Sequence, residues 1–172
     1  MSVTENLMQE HQLILSYCDL MQRYAAFSRN NPDSPLLVDN AAMFIGFIQE
    51  FADTFHHAKE ENILFRYLET PGVLSHCNPV PQMLHEHQLA RDCVQNMQQA
   101  LQADDTRDLA DNLQQYAELL RQHIFKEDNI LYPMGEQGLS GEQKTAIQTE
   151  YEETEAQLDS SAIWKKYTVI IR

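Results

Sequence analysis

HIFKEDNILYP, His123–Pro133, decides the fold, because an earlier stretch, HHAKEENILF, His56–Phe65, nearly repeats it. In that register His, Lys, Glu, Asn, Ile and Leu coincide, Asp128 faces Glu61 and Tyr132 faces Phe65. A shorter word, EHQL, also occurs twice, at Glu10–Leu13 and Glu86–Leu89, each time upstream of one long copy. The chain therefore reads as two halves, each a helix with one histidine followed by a helix with His-x-x-x-Glu. Residues four apart lie on one helix face, about one turn along the axis. A His and a Glu so placed reach one metal ion or two adjacent ones. The repeat is explained if two metal ions need two similar sets of ligands.

Composition agrees with a helical domain. The 172 residues are 43% apolar and 22% charged, with only five Gly and six Pro to make tight turns. Leu, Gln, Glu, Ala and Met favour helix. A formal charge of −14 repels nucleic acid and anionic membrane, so neither is an expected partner. No apolar run approaches the roughly 20 residues of a membrane span. The opening MSVTENLMQEHQL lacks the basic start and apolar centre of a leader peptide. Cys18, Cys77 and Cys93 are too scattered for a disulfide framework or a zinc knuckle, which points to a reduced, cytoplasmic setting.

Periodicity predicts four long helices. The first runs from about Val3 to Phe27, with Leu7, Met8, Ile14, Leu15, Cys18 and Met21 inward and a Ser2/Glu5 capping box at its start. SRNNPDSP, Ser28–Pro35, interrupts before a second helix over about Leu37–Glu69. CNPVP, Cys77–Pro81, precedes a third over about Gln82–Ala103. A fourth follows over about Thr106–Tyr132, with Leu109, Leu113, Tyr116, Leu120 and Ile130 inward, and Pro133 and Gly135 are expected to stop it. The fold class is thus all-α, an antiparallel four-helix bundle over residues 1–135. Residues 136–172 are expected to add an acidic helix and an apolar, β-prone tail, packing on the bundle or on a second subunit.

Facing helices of such a bundle bring His11, His56 and Glu60 opposite His87, His123 and Glu127. Buried carboxylates are costly unless they meet cations or hydrogen-bond donors. Four imidazoles and two carboxylates form a mixed nitrogen and oxygen set that suits six-coordinate iron or manganese better than tetrahedral zinc. His56 lies on the apolar row Phe44, Ile48, Ala52, whereas His57 lies on the polar row Gln49, Asp53. The ligand pair is therefore read as His56 and Glu60, with His57, His76 and His85 left at the surface.

These motifs resemble the hemerythrin family, specifically the hemerythrin-like cation-binding (HHE) domains. The resemblance covers about Val3–Gly135 and rests on Glu10-His11, His56–Glu60, Glu86-His87 and His123–Pro133. It departs at Arg66, where the family often shows proline. The resemblance implies a non-haem di-iron centre with an oxo or hydroxo bridge, glutamates 60 and 127 bridging and the four histidines terminal; manganese or zinc could substitute. Oxygen-carrying members use five histidines, with a pair four apart on the third helix, where this chain has His87 and Arg91. The four-histidine set is similar to bacterial proteins linked to repair of iron centres, although their cysteine-bearing N-terminal extension has no counterpart here. One ligand fewer leaves an open coordination position toward which Tyr116 could project, if it is not simply a core tyrosine. The expected function is binding or sensing of O2, NO or peroxide, or iron supply for repair. The alternatives are a di-iron peroxidase or nitric oxide reductase, and a metal-free helical module. The tail is a candidate homodimer contact.

Overall fold

The computed structural model describes residues 2–169. Its first helix, α1, is Glu5–Asn30. The second, α2, is continuous through Leu36–Phe47, two π-helical stretches, Ile48–His57 and Glu60–Leu64, and a last turn, Phe65–Leu68. Helix α3 is Val80–Gln102. Helix α4 begins as Thr106–Lys126, widens to π-helix over Glu127–Leu131 and ends as Tyr132–Gly138. Two shorter helices follow, α5 (Gly141–Gln157) and α6 (Ser160–Thr168). No strand occurs among the described residues, and none of these helices is long and apolar enough to cross a membrane. Helix α4 packs along α1 and α3, and α2 closes the bundle against α1 and α3.

Inside the bundle two apolar clusters are stacked end to end. The larger contains Leu13, Ile14, Tyr17, Phe47, Phe51, Phe55, Ala90, Met97, Tyr116 and Leu120. The smaller contains Val3, Leu7, Ile63, Phe65, Met83, Leu131 and Tyr132, and it takes in Ile147 and Tyr151 of α5. Between them, every bundle helix crosses a belt of buried polar residues: Glu10 and His11, His56 to Glu60, Glu86 and His87, His123 and Glu127. Apolar packing above and below buries that belt and fixes its height.

Several local expectations are corrected. Pro133 does not stop α4, which continues to Gly138. The π-helical stretch ends at Leu131, and Pro133 falls in the first turn of the α-helical segment that follows, where a missing N–H does least harm. The wider π-helical turn places Leu131 inward in place of Ile130, which is exposed. Met8 is exposed as well, and Tyr17, absent from the predicted row, is fully buried. Ser2 and Glu5 form no capping box. Instead the Ser2 hydroxyl and the backbone N–H groups of Val3 and Thr4 all donate to Glu136 Oε1, at 2.8, 2.6 and 3.1 Å. The prolonged α4 carries that carboxylate to the start of α1, where free N–H groups and the helix dipole favour negative charge.

The C-terminal tail is helical rather than extended as far as Thr168; Ile170 and Ile171 lie outside the described residues. Asp159, in the left-handed region at φ 51°, turns the chain between α5 and α6 and caps α6 through Ala162 N. Trp164 sets its edge on Phe51, and Tyr17 donates to the Tyr167 carbonyl at 2.9 Å. Gly138 at the end of α4 lies against the loop after α2: a Cβ there would come within 2.1 Å of the Val73 carbonyl oxygen. Gly138→Ala should therefore destabilise the fold by about 1–3 kcal/mol in urea titration, the usual cost of forcing extra volume against backbone.

Candidate metal centre

Each of the four predicted histidines is clamped from behind by a carboxylate. His11 Nδ1 donates to Asp128 at 2.7 Å and His87 Nδ1 to Glu61 at 2.7 Å. His56 Nδ1 donates to Glu10 at 2.7 Å and His123 Nδ1 to Glu86 at 2.9 Å. Lys59 and Lys126, the lysines of the repeat, pair with the other oxygens of Glu10 and Glu86. A carboxylate on Nδ1 fixes the ring's orientation and tautomer and leaves Nε2 as the inward donor, the usual support of a metal-binding imidazole.

The inward nitrogens meet in pairs, His11 with His56 at 2.9 Å and His87 with His123 at 3.0 Å. With metal–nitrogen bonds of about 2.1 Å, neighbouring ligands lie ~3.0 Å apart on an octahedron and ~3.4 Å apart on a tetrahedron. In the metal-free chain both separations are those of an N–H···N hydrogen bond, and either pair is close enough to bind one ion. Glu127 reaches from one pair to the other, its Oε2 3.3 Å from His11 and its Oε1 3.1 Å from His123. Glu60 Oε2 lies 3.6 Å from His56 and 3.4 Å from His87. Glu60 Oε1 accepts from the Tyr132 hydroxyl at 2.5 Å. The other three oxygens, Glu60 Oε2 and both of Glu127, are buried and accept no hydrogen bond. Buried carboxylate oxygens without donors are strongly unfavourable unless a cation faces them. The donor set fits two cations.

Two groups of donors result, His11, His56, Glu60 and Glu127 at a first position, and His57, Glu60, His87 and His123 at a second. All six predicted residues are brought together, and His57 is added. The expectation that His57 lies at the surface is wrong: it is 2% exposed, while His76 and His85 are exposed. In the wide π-helical turn, successive residues are closer in direction than in an α-helix, so His56 and His57 both face inward. The polar row beneath His57 misled because Asp53 serves an internal network: Arg91 clasps Asp53 through Nε (3.0 Å) and Nη2 (2.7 Å) and also reaches Glu61 (2.8 Å). His57 stacks on His87, ring centres 3.8 Å apart and planes 15° apart. An imidazole binds metal in its own ring plane, so two rings stacked this way do not point at one ion. His57 stands beside the second position as a neighbour of its ligands.

Without metal, protons take the cations' place. Burial opposes charge on His11, but Asp128 and Glu127 outweigh it and raise its pKa to about 9. His123 is raised to about 10, burial again being overcome by Glu127 and Glu86. His56 is lowered to about 3 by burial and remains neutral, accepting from its partner.

Residues 2–135 match the family described as Hemerythrin HHE cation binding domain. The chain belongs to the hemerythrin family. No curated protein and no solved structure gives a significant match. In this hemerythrin domain the supporting groups Glu10, Glu61, Glu86, Asp128, Lys59 and Lys126 were not assigned from sequence, although every one of them sits inside a repeated word. Tyr132 was visible in the same way. The region beyond the match also takes part: Glu155 of α5 pairs with buried Lys59 at 2.8 Å.

Two outcomes are expected. Asp128→Asn should weaken metal binding ~10–100-fold in competition with a chelator, the usual effect of losing an imidazole's carboxylate partner, with helicity retained. The metal-free protein should have its highest melting temperature near the ordinary histidine pKa of 6.5. On acidification the unfolded chain gains a proton that native His56 refuses, so stability falls as pH drops toward 3. Above 6.5 native His11 and His123 hold protons that the unfolded chain releases, so their contribution fades as pH rises through 9 and 10. A melting temperature that climbs steadily on the alkaline side would contradict this assignment.

Proposed function

We propose that this chain binds two iron ions between Glu60 and Glu127 and, through them, handles a small oxidant or diatomic molecule: dioxygen, nitric oxide or peroxide. Iron supply to damaged iron centres is a use of the same site. The strongest support is the three buried, donorless carboxylate oxygens framed by four imidazoles, each aimed by its own carboxylate. The mixed imidazole and carboxylate donor set, with two carboxylates shared between the positions, suits iron better than zinc, and manganese or zinc are substitutes. Iron bound here would supply redox change and Lewis acidity. The protein's own residues hold the imidazoles in one tautomer, bury the donor set and carry compensating charge through Lys59 and Lys126. The cytoplasm is the proposed setting.

One observation favours a second reading, turnover as a peroxidase or nitric oxide reductase. Tyr132 places a buried hydroxyl on Glu60 and stacks on His11, ring centres 5.5 Å apart. It offers a hydroxyl donor at the centre of the site. Steady-state assays of the reduced protein with peroxide and nitric oxide separate turnover from binding.

Purified aerobically from iron-rich medium, the protein should contain about two irons per chain and show a ferric charge-transfer band in the near ultraviolet. Replacing Glu60 and Glu127 together by Gln should abolish iron retention and remove roughly 3 kcal/mol of metal-linked stability, a fall of several degrees in melting temperature. A double variant as stable as wild type, or a wild-type protein holding zinc alone, would count against di-iron binding.

A further inference from the structure

Beside the second metal position a cleft of about 280 Å³ opens between α2 and α3 and reaches Tyr116 of α4. Its walls are apolar at Ile48, Ala90 and Val94. Two buried polar side chains line it: Tyr116, 0% exposed, whose hydroxyl has no hydrogen-bond partner, and His57, 2% exposed, whose Nδ1 lies 3.5 Å from Asp53 Oδ1 and whose Nε2 has none. Buried hydroxyls and imidazoles are almost always hydrogen-bonded, so two orphans on one cavity point to an occupant that satisfies them. His57 is also the only lining residue that belongs to the donor group of the second position. A molecule moving from the cleft to that position passes beside it.

Charge limits what the occupant can be. Among the described residues Arg91 is the one cationic side chain on the wall, and it is already engaged by Asp53 and Glu61. No free positive charge draws an anion in, and the paired carboxylates repel one. An apolar patch at Ile48, Ala90 and Val94, the neutral amides of Gln49, Gln95 and Gln98, and a charge pair already matched between Asp53 and Arg91 suit a small neutral molecule. At about 30 Å³ per water-sized molecule there is room for such a ligand and accompanying water.

We propose that this cleft is the entry and holding chamber for a small uncharged ligand of the second metal position, with His57 as its inner wall and the Tyr116 hydroxyl as its hydrogen-bond donor. The chamber rests on the di-iron reading above and adds the route, the side of approach and the charge class of the ligand.

Xenon, a neutral atom of diatomic size, tests the cavity without iron. In amide NMR spectra of the metal-free full chain, saturable shifts should be confined to residues around Ile48, Ala90 and Val94, and Val94→Trp should abolish them. Nitric oxide then tests the route in the reduced, iron-loaded protein. Val94→Trp should slow association at least tenfold with iron content unchanged. Gln98→Trp, at the half-exposed rim, serves as a second block that leaves the core untouched. Tyr116→Phe should leave association and melting temperature as they are, since only an unpartnered hydroxyl is lost, and should speed dissociation at least fivefold. If wild type binds nitric oxide and both tryptophan variants, still iron-loaded, associate within twofold of it, the chamber is overturned while the di-iron reading stands. If Tyr116→Phe dissociates at the wild-type rate, the hydroxyl has no part in holding the ligand. If iron-loaded wild type binds no nitric oxide, the functional reading fails and the chamber falls with it, whatever xenon shows.

Discussion

Glu60 and Glu127 stand at the centre of the bundle with no exposed surface, and among the described residues three of their oxygens have no hydrogen bond and face only imidazole nitrogens 3.1–3.6 Å away. A carboxylate held that way is among the costliest things a protein core can contain. Everything around the pair is consistent with drawing in positive charge. Four imidazoles turn their Nε2 atoms toward the glutamates, and four further carboxylates hold the far side of those rings. The apolar clusters above and below offer the glutamates no hydrogen-bond donors. Protons on His11 and His123 compensate Glu127 in the metal-free chain; cations between the glutamates would satisfy both, and metal binding would then add to the stability of the fold.

Seen from this constraint, each repeated letter has a task. In EHQL the histidine faces inward, and the glutamate before it supports the histidine of the following helix, Glu10 for His56 and Glu86 for His123. In His-x-x-Lys-Glu-Glu/Asp the lysine neutralises that glutamate, the next residue faces both positions, and the last one crosses to the other half: Glu61 orients His87 and Asp128 orients His11. The two halves thus interlock, since neither copy holds its own histidines alone. The symmetry is broken at Lys59, which is fully buried and shared with Glu155, whereas Lys126 is half-buried without such a partner. It is also broken at His57, whose equivalent in the second copy is Ile124. Both departures are on α2, which carries the longer run of π-helix.

The bundle and its six inward donors were legible because they depend on period and repetition, which survive small errors of register. What escaped depends on local backbone geometry. An α-helical wheel placed His57 on a polar face, and the π-helical turn moved it into the core. The same widening exchanged Ile130 for Leu131 and let α4 run past Pro133. The capping of α1 by Glu136 was invisible because its donor and acceptor groups are joined only by the fold. The carboxylate clamps were present in the repeats, but their cross-over between halves appears only when the helices are placed side by side.

The most direct test is a crystal structure of the iron-loaded protein with anomalous difference maps on either side of the iron absorption edge. Two iron peaks are predicted between Glu60 and Glu127, one beside the Nε2 atoms of His11 and His56 and the other beside those of His87 and His123. A single peak, or iron bound elsewhere with water or protons filling the space between the glutamates, would contradict a dinuclear centre.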